Sequence, residues 1–380
     1  MATSTAPAAA PSTQAVVNIG TRRSLLARVQ ADLVKAALEE AWPERKYEIH
    51  AMATMGDKNQ VTPLHDFGAK SLWTHELEAW LVERKLDLIV HCLKDMPTQL
   101  PPNLSIAAIL PREDPRDAFV LKASLAASPN PPTLATLPPD SVIGTSSVRR
   151  SAQLKRLYPH LKFADVRGNV GTRLAKLDST DPNETQYSAL ILAAAGLKRL
   201  GLGGRITALL SKKEGGMLHA VGQGALAIET RDDDANTKAL LSRVGCERTA
   251  RATLAERSLM RTLEGGCSVP IGVETEWAPA AAATSTVGVQ PAAEYDQAGN
   301  PVGGAAAPQE SNQLTMRAVV VSLDGKDAAE VELTRTIVTR EQADEFGREV
   351  AAKLIERGAA KILEAINLNR DIVEKQAGGA

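Results

Sequence analysis

A lone cysteine, Cys267, lies in the loop at residues 263–270, after two glycines and before a proline. Apolar residues at helical spacing precede the loop, which predicts a helix that ends at Gly265, and Pro270 prevents that helix from restarting. A thiol beyond a helix end suits a covalent attachment point, because structural thiols are usually buried on apolar faces. Read alone, the loop fits equally well a C-capping turn in which Cys267 only fills a gap.

A second group of reactive residues follows the apolar run at residues 86–90, which is typical of a strand covered on both sides. Lys94 and Asp95 leave this strand together. One carboxylate among cations can stabilise a cationic intermediate or give a proton to a leaving amine, although the pair could also only neutralise each other in a turn. His91 is predicted to be packed and hydrogen-bonded, and no histidine pair has metal-ligand spacing, so we expect no metal.

Arginines recur where predicted strands end, at Arg22, Arg23, Arg149, Arg150, Arg167 and, nearby, Arg173. In open α/β sheets the ligand lies beyond the carboxyl ends of the strands, often at helix N-termini. A guanidinium grips a carboxylate or a phosphate with two N–H groups. One such arginine is usually a solvated charge or half of an ion pair, but the repetition predicts a cleft for a ligand with several negative groups. Ser146 and Ser147 add hydroxyls at a predicted helix N-terminus.

The segment Gly222-Gln223-Gly224 contains a lone glycine pair, which is weak support for a nucleotide site. Its glycines favour a tight crossing of the chain between two domains, because glycine adopts backbone angles closed to other residues. Gln223 is then available as a hydrogen-bond donor.

The elements that must position these residues alternate between apolar strands and amphipathic helices from residue 16 onward. This alternation predicts α/β layers with largely parallel sheets. After Cys246 the pattern changes to a helix, the cysteine loop, two strands and a C-terminal helix, which predicts a smaller α+β domain. Residues 278–312, rich in Ala, Gly, Pro and Gln, are predicted to be a flexible insertion in the hairpin connection between its strands.

Composition argues against several classes of function. The chain has 380 residues, 44% of them hydrophobic, enough for two or three domains with substantial cores. A formal net charge of -1 and 3% aromatic residues argue against nucleic acid and anionic membranes as partners, and no apolar run could cross a bilayer. Three cysteines without a CxxC pair favour a reducing compartment. Residues 1–15 are predicted to be a disordered tail and not a targeting peptide, so we expect a cytoplasmic protein.

Six motifs occur in order: residues 20–24 (GTRRS), 91–97 (HCLKDMP), 144–150 (GTSSVRR), 167–169 (RGN), 221–225 (VGQGA) and the Cys267 loop. With these motifs the chain resembles the hydroxymethylbilane synthase family, also called porphobilinogen deaminase, over residues 16–368 apart from the 278–312 insertion. The resemblance implies two α/β domains similar to periplasmic binding proteins and a smaller α+β C-terminal domain.

The resemblance also implies domain boundaries. Domain 1 would comprise residues 16–115 and 218–244, and domain 2, rich in arginine, residues 116–217. Domain 3, at residues 245–380, would carry the cysteine loop. Hinge crossings would join the first two domains.

The chemistry that the resemblance implies begins at Cys267, which would carry a dipyrromethane cofactor through a thioether bond. Four porphobilinogen molecules would then be joined head to tail, each with loss of ammonia, and hydrolysis would release hydroxymethylbilane. Porphobilinogen carries an acetate and a propionate, so a growing chain needs many arginines. The negative end of a helix dipole disfavours a thiolate, which suits an anchor better than a nucleophile that must turn over.

The motif positions imply roles for individual residues. Cofactor contacts are implied for Cys267, Arg22, Ser24, Lys94, Asp95, Ser146, Ser147, Arg149, Arg150, Gly168 and Arg173. Substrate contacts are implied for Arg22, Lys70, Arg167, Arg173, Arg199 and Gln223. Asp95, with Lys94, is the implied catalytic group, since it would face pyrrole nitrogens as they become positive, and Lys70 would belong to a lid. Cys92 replaces the family's usual serine, and a thiol is the weaker hydrogen-bond donor.

Two other functions remain open at this point. A non-catalytic module of the periplasmic-binding type, for a carboxylate or a phosphate, would explain the strand-end arginines but would leave Cys267 and the Lys94–Asp95 pair unused. A thiol-dependent transferase would need a histidine placed to activate Cys267, and the sequence places none there. We expect a monomer whose partner is the small molecule porphobilinogen.

Overall fold

The structure is a computed structural model that describes residues 16–53, 74–263, 269–279 and 311–366, and two short strands between 294 and 302. The strands are β1 (Val17–Arg22), β2 (Tyr47–Met52), β3 (Leu88–Cys92), β4 (Leu104–Ile109), β5 (Asp117–Leu121), β6 (Val142–Gly144), β7 (Lys162–Ala164), β8 (Ala189–Ala193), β9 (Ala208–Leu210), β10 (Leu226–Arg231), β11 (Ile271–Trp277), β12 (Glu294–Tyr295), β13 (Pro301–Val302), β14 (Gln313–Val321) and β15 (Ala328–Thr336). The α-helices are α1 (Leu25–Ala41), α2 (His75–Val82), α3 (Ala123–Ala126), α4 (Val148–Leu157), α5 (Val170–Asp178), α6 (Ala194–Arg199), α7 (Ala235–Leu241), α8 (Glu247–Thr262) and α9 (Arg340–Glu356).

Five strands form the first sheet, in the order β2-β1-β3-β10-β4. β1 is parallel to β2 and β3, whereas β10 is antiparallel to β3 and β4. Helix α1 covers one face. It begins after Ser24, whose side chain accepts a hydrogen bond from the Ala27 N–H, and it buries Val34 and Leu38 against strand residues such as Ile19. This packing holds the end of β1 beside the start of α1.

The second sheet repeats this arrangement in the order β7-β6-β8-β5-β9. β6 is parallel to β7 and β8, and β5 is antiparallel to β8 and β9. Apolar clusters cover both faces, one around Phe119 and Ile143 and the other around Val120 and Leu190. In each sheet the fourth strand is therefore antiparallel and belongs to a segment that crosses from the other sheet.

The third sheet is antiparallel, in the order β11-β14-β15. Helices α8 and α9 cover it, and Leu259 and Phe346 join strand residues such as Val273 in one core. The two helices cross closely at Gly347, where a Cβ atom would lie 2.2 Å from the Ala255 carbonyl oxygen. Glycine is required there by the space that the helix backbones leave.

The predicted fold class, α/β with a smaller α+β part, is confirmed by these three sheets. The expectation of largely parallel sheets is confirmed for the two five-stranded sheets, since four strands of each run the same way and the crossing strand, β10 or β5, is antiparallel to them. The smaller part has a third strand, β15, that the sequence pattern did not predict. Residues 278–312 join β11 to β14, which are antiparallel neighbours as a hairpin connection requires, and β12 pairs with β13 within them. The domain boundaries stay a prediction.

No helix in the part of the chain that the structure describes is long and apolar enough to cross a membrane. Within the same residues, no group of three or more His, Cys, Asp or Glu side chains could hold a metal ion.

Candidate active site

The carboxyl ends of β1 and β3 bring the first predicted residues together. The two strands are parallel neighbours, with Ile19 opposite Leu88, so both end at the same edge of the sheet. β1 ends at Arg22, and β3 leads into a 3-10 turn at Leu93–Asp95. This turn presents Asp95 beside the start of α1, where Ser24 is the N-cap residue.

A cavity of about 30 Å³ lies at this edge. Its lining consists of Arg22, Ala27, Gln30, Thr74, Val90, His91, Cys92 and Asp95. Asp95 itself is exposed, whereas His91 is buried. The predicted catalytic carboxylate can therefore meet a ligand, and the histidine behind it cannot meet one directly.

The second sheet contributes the serines at the end of β6. The Ser146 hydroxyl donates to the Val166 carbonyl oxygen at 2.8 Å and accepts from the Val166 N–H at 3.2 Å. These two bonds tie the segment after β7 to the end of β6. Ser147 is the N-cap residue of α4, and its backbone is extended.

Arg173 is positioned by the turn before α5. Gly168 has a φ of 109°, and a Cβ atom there would lie 2.7 Å from the Thr172 side chain, so the turn needs glycine. The Arg173 Nε–H donates to the Gly168 carbonyl oxygen at 2.7 Å.

Arg173 is buried among charged groups of both signs. Burial, followed by the like charges of Arg150 and Arg167, lowers the pKa of Arg173 to about 10, and Asp95 opposes this shift. The structure thus brings Asp95 of the first sheet and three arginines of the second within electrostatic reach of one another. Such a group suits a ligand that supplies several negative charges.

Arg149 and Arg150 are buried and share Asp117, at the start of β5. Arg149 Nη1 lies 2.8 Å from Asp117 Oδ2, and Arg150 Nη2 lies 2.7 Å from Asp117 Oδ1. Burial alone would raise the pKa of Asp117, but the two guanidinium groups outweigh burial and hold that pKa well below its usual range. Arg149 also donates to the Leu218 carbonyl oxygen at 2.7 Å. Both arginines therefore stabilise the two chain segments that cross between the sheets, one leading into β5 and the other into β10. Their contact with the cofactor stays a prediction.

Gln223 links the crossing to the catalytic turn. Its Nε2 donates to the Pro115 carbonyl oxygen at 2.7 Å and to Asp117 Oδ1 at 3.0 Å, and its Oε1 accepts from Lys94 Nζ at 3.4 Å. Gly224, next to it, has a φ of 87°, and a Cβ atom there would lie 2.3 Å from the Glu113 carbonyl oxygen. The glycines of this segment serve the close crossing of the two chain segments.

Arg199 and Cys92 complete the site residues within the described ranges. Arg199 Nη2 donates to the Gly224 carbonyl oxygen at 2.8 Å, and burial lowers the pKa of this guanidinium. Burial, with the neighbouring Asp95, raises the pKa of the Cys92 thiol to about 11. Cys92 is therefore a neutral thiol at physiological pH.

A buried ion pair joins both crossings to the third sheet. Arg112 Nη1 lies 2.6 Å from Glu256 Oε1 on α8, and Glu256 Oε2 accepts from the Gly222 N–H at 2.8 Å. His219 lies beside this pair, and burial followed by the charge of Arg112 lowers its pKa to about 4. Sequence reasoning missed Asp117, Arg112 and Glu256, because single charged residues outside a motif carry no signal until the fold pairs them.

Two predicted residues, Cys267 and Lys70, lie outside the described residues. Helix α8 ends at Thr262, and the structure describes the chain again from residue 269. Leu263 and Val269, on either side of the cysteine loop, both belong to the core of the third sheet. These two flanking residues are thus fixed by the packing of that core.

Family models describe most of the chain. The model for the porphobilinogen deaminase, dipyromethane cofactor binding domain matches residues 17–239, and the model for the porphobilinogen deaminase C-terminal domain matches residues 250–283. This chain belongs to the porphobilinogen deaminase family. The porphobilinogen deaminase of Neurospora crassa is 48% identical over 93% of this chain and 95% of its own length. Those of Yarrowia lipolytica and Saccharomyces cerevisiae are 47% and 43% identical, each over 93% of this chain and over 94% and 98% of their own lengths.

Solved structures of other families show a weaker likeness to this porphobilinogen deaminase family member. Apo YehZ from Escherichia coli matches with a TM-score of 0.35 and 11% identity over 60% of this chain and 85% of its own. The VFT2 domain of Bordetella pertussis BvgS matches with a TM-score of 0.34 and 13% identity over 60% and 86%.

The site residues fit the dipyrromethane cofactor that the family model names. The test is the setting of Arg173, since burial and the like charges of Arg150 and Arg167 disfavour its charged form and Asp95 favours it. Pyrroles with acetate and propionate side chains would supply further negative charge to this guanidinium. The residues that would hold the cofactor are therefore those at the strand ends that face Asp95.

Proposed function

We propose that this protein is a hydroxymethylbilane synthase that joins four porphobilinogen molecules, with loss of ammonia, on a dipyrromethane primer held by Cys267. The observation that carries the proposal is the electrostatic interaction between Asp95, which follows β3 of the first sheet, and the buried Arg173 of the second, whose other charged neighbours are Arg150 and Arg167. One carboxylate among several guanidinium groups suits a substrate with carboxylate side chains and a reacting centre that becomes positive.

The arginines bind and orient the substrate. Arg22 at the end of β1 and Arg173 on α5 approach the site from different sheets. Each can therefore bind carboxylates on a different side of the substrate. When bound, the cofactor supplies the free pyrrole α-carbon to which the first porphobilinogen is joined. Because several guanidinium groups hold both reactants in place, the joining of two molecules becomes an effectively unimolecular step.

Asp95 carries the proton chemistry. It is exposed and follows the buried strand β3. As an acid it gives a proton to the leaving amine, and as a carboxylate it stabilises the positive charge that spreads over the pyrrole nitrogen. Lys94 lies beside it, and the bond from Lys94 Nζ to Gln223 ties the turn to the crossing.

Intact mass measurement tests the covalent anchor. We expect purified protein to be heavier than the sequence by one dipyrrole unit and Cys267→Ser protein to have the unmodified mass. Cys246→Ser is the matched control, since Cys246 is a free thiol at the start of α8, and it should keep the added mass. Active enzyme with an unmodified mass would contradict the assignment.

Ammonia release tests Asp95. Asp95→Asn should keep the fold and the cofactor and lose turnover by about 10² to 10⁴, the usual contribution of a general acid. Asp140→Asn is the control, since Asp140 is an exposed carboxylate with a surface partner, Lys162. Near-normal ammonia release by Asp95→Asn would refute this role, and binding of porphobilinogen without ammonia release by the unaltered protein would favour the non-catalytic module.

The setting of the enzyme is also a proposal. We infer that it acts in the cytoplasm as a monomer, without nucleic acid or a membrane as partner, and the support is the near-zero net charge and the three cysteines. Light scattering of the purified protein tests the monomer, and cell fractionation tests the compartment.

A further inference from the structure

A buried acid–imidazole cluster lies behind the cavity at Asp95, and the mechanism above does not use it. His91 Nε2 on β3 is 2.8 Å from Glu229 Oε2 on β10, and the two side chains are 6% and 0% exposed. Glu229 pairs with Ile89 in the sheet, and Ile89 lies two residues before His91, so the two groups share one face. Glu78 on α2 approaches the same face and interacts with both.

The carboxylates of this cluster are not fully hydrogen-bonded. Within the described residues, Glu229 Oε1 is buried and has no hydrogen-bond partner. Burial, together with the charge of Glu229, raises the pKa of Glu78, which the Thr74 side chain and His91 oppose. Leu77, Leu81 and other apolar side chains pack around this face. Buried carboxylates without full hydrogen bonding destabilise a fold, so a purely structural role explains this cluster poorly.

The cavity connects the cluster to the catalytic carboxylate. His91 and Asp95 both line its 30 Å³, which is room for about two water molecules. Arg22, Gln30 and Thr74 give the lining polar atoms to which such water can bind. A proton can pass through this water between the imidazole and Asp95, although a ligand cannot reach His91.

We propose that His91, with its charged form stabilised by Glu229, is a proton relay that supplies and recovers the proton of Asp95. The proposal rests on the proposed function. Asp95 gives its proton to the aminomethyl nitrogen of porphobilinogen, the carbon–nitrogen bond breaks and ammonia leaves. The imidazolium of His91 returns a proton to Asp95 through the cavity and becomes neutral. When the new carbon–carbon bond forms, the proton lost from the pyrrole carbon returns to the imidazole, so the cluster ends each cycle as it began.

The relay depends on the charged and titratable groups around His91. In the part of the chain that the structure describes, these groups are Glu229 on β10, Glu78 and His75 on α2, Arg22 on β1, Cys92 on β3, and Lys94 and Asp95 in the 3-10 turn. The carboxylates favour the imidazolium and the cations oppose it. Glu229 is in direct contact, so its removal should have the largest effect.

A spectroscopic titration of the holoenzyme tests whether His91 changes charge. The full chain, labelled with 15N-histidine and with its cofactor content verified by mass, is titrated by NMR, and His91→Gln assigns the signal. We expect the ring signals to change with pH over the range in which the enzyme is active, and to respond differently to pH in Glu229→Gln, which lacks the contacting carboxylate. A ring that keeps one protonation state over this range would overturn the relay.

Kinetics separate a relay from a packing role. In His91→Gln and Glu229→Gln we expect kcat for ammonia release to fall about tenfold or more, with KM and cofactor content unchanged, because proton supply then limits turnover. The pH profile of kcat should also change shape. His160→Gln, which alters a histidine beside Tyr158 outside the cluster, should match the unaltered enzyme.

The outcomes distinguish the relay from the proposed function. A lower kcat with an unchanged pH profile would mean a structural role and would overturn the relay. An unaltered enzyme that releases no ammonia would overturn the proposed function itself. If Glu229→Gln fails to fold, the titration of His91 in the unaltered holoenzyme still decides the question.

Discussion

Asp117→Asn gives a sharp test of whether Arg149 and Arg150 meet the cofactor. The side chain keeps its shape and its Oδ1 acceptor, so hydrogen bonds from Arg150 and Gln223 can persist. The negative charge that faces both buried guanidinium groups is lost. The variant therefore changes charge at the crossing with little change in packing.

The expected magnitude follows from burial. Removal of one partner from a buried ion pair destabilises a protein by about 3–5 kcal/mol, and the Asp117 side chain is 0% exposed. If a pyrrole carboxylate binds about 8 Å from one of these guanidinium groups, it would return about 2 kcal/mol at an effective dielectric constant of about 20. Asp117→Asn should therefore destabilise protein that carries the cofactor by about 2 kcal/mol less than protein without it.

The assay compares urea unfolding of Asp117→Asn with that of its parent, once in the protein that carries the cofactor and once in the Cys267→Ser background. Intact mass verifies which form is present. Asp178→Asn is a matched control, since Asp178 pairs with Arg205 at a half-exposed site on the second sheet's helix layer, and its effect should be small and equal in both backgrounds.

An equal loss of stability in both backgrounds would refute the reasoning. It would mean that Arg149 and Arg150 serve only the crossing and that no pyrrole carboxylate lies near them. The cofactor would then be held by Arg173, Arg167 and Arg22 without them.

Three further predictions concern stability and thiol chemistry. The folded pKa of His219, about 4, lies below its ordinary value of 6.5, so the unfolded chain binds the extra proton and stability falls as pH drops from about 6.5 to 4. The loss at pH 5 relative to pH 8 is about 2 kcal/mol, and urea unfolding should show it in the unaltered protein and not in His219→Gln. Gly224→Ala should destabilise the protein by about 2–4 kcal/mol, since its Cβ would clash with the Glu113 carbonyl oxygen. Gly204→Ala, where a Cβ atom meets open space, should change stability little. Equal urea midpoints for the two variants would contradict the clash at Gly224. Cys92, with a pKa of about 11 against an ordinary 9.0, should react with iodoacetamide at pH 8 about 100-fold more slowly than an unperturbed thiol. Rapid alkylation, measured by peptide mass spectrometry, would contradict the raised pKa.

Much of the site could be predicted from local sequence, because a run of apolar residues followed by polar residues marks where a buried strand ends. The apolar run before Lys94 and Asp95 predicted a buried strand, and the observed β3 ends at Cys92. In a parallel arrangement such ends meet at one edge, and β1 and β3 do meet there.

The charge pairing could not be predicted, because it joins residues far apart in the chain. Asp117 meets Arg149 and Arg150 only where β5 enters the second sheet antiparallel. Glu229 meets His91 across 138 positions of sequence. Neither carboxylate lies in a motif, so residue type and spacing alone could not show that it is buried.

The sequence by itself determined the chemistry of this protein: the isolated Cys267, the Lys94–Asp95 pair, the strand-end arginines and the ordered motifs of the family. The tertiary structure alone decided which charges are free to act on a ligand and which are used within the protein. It assigns Asp117 to Arg149 and Arg150, leaves Asp95 to interact with Arg173, and places His91 with Glu229 behind the cavity. The reason is physical, since the strength and sign of an electrostatic effect depend on burial and on distances that only the folded chain sets.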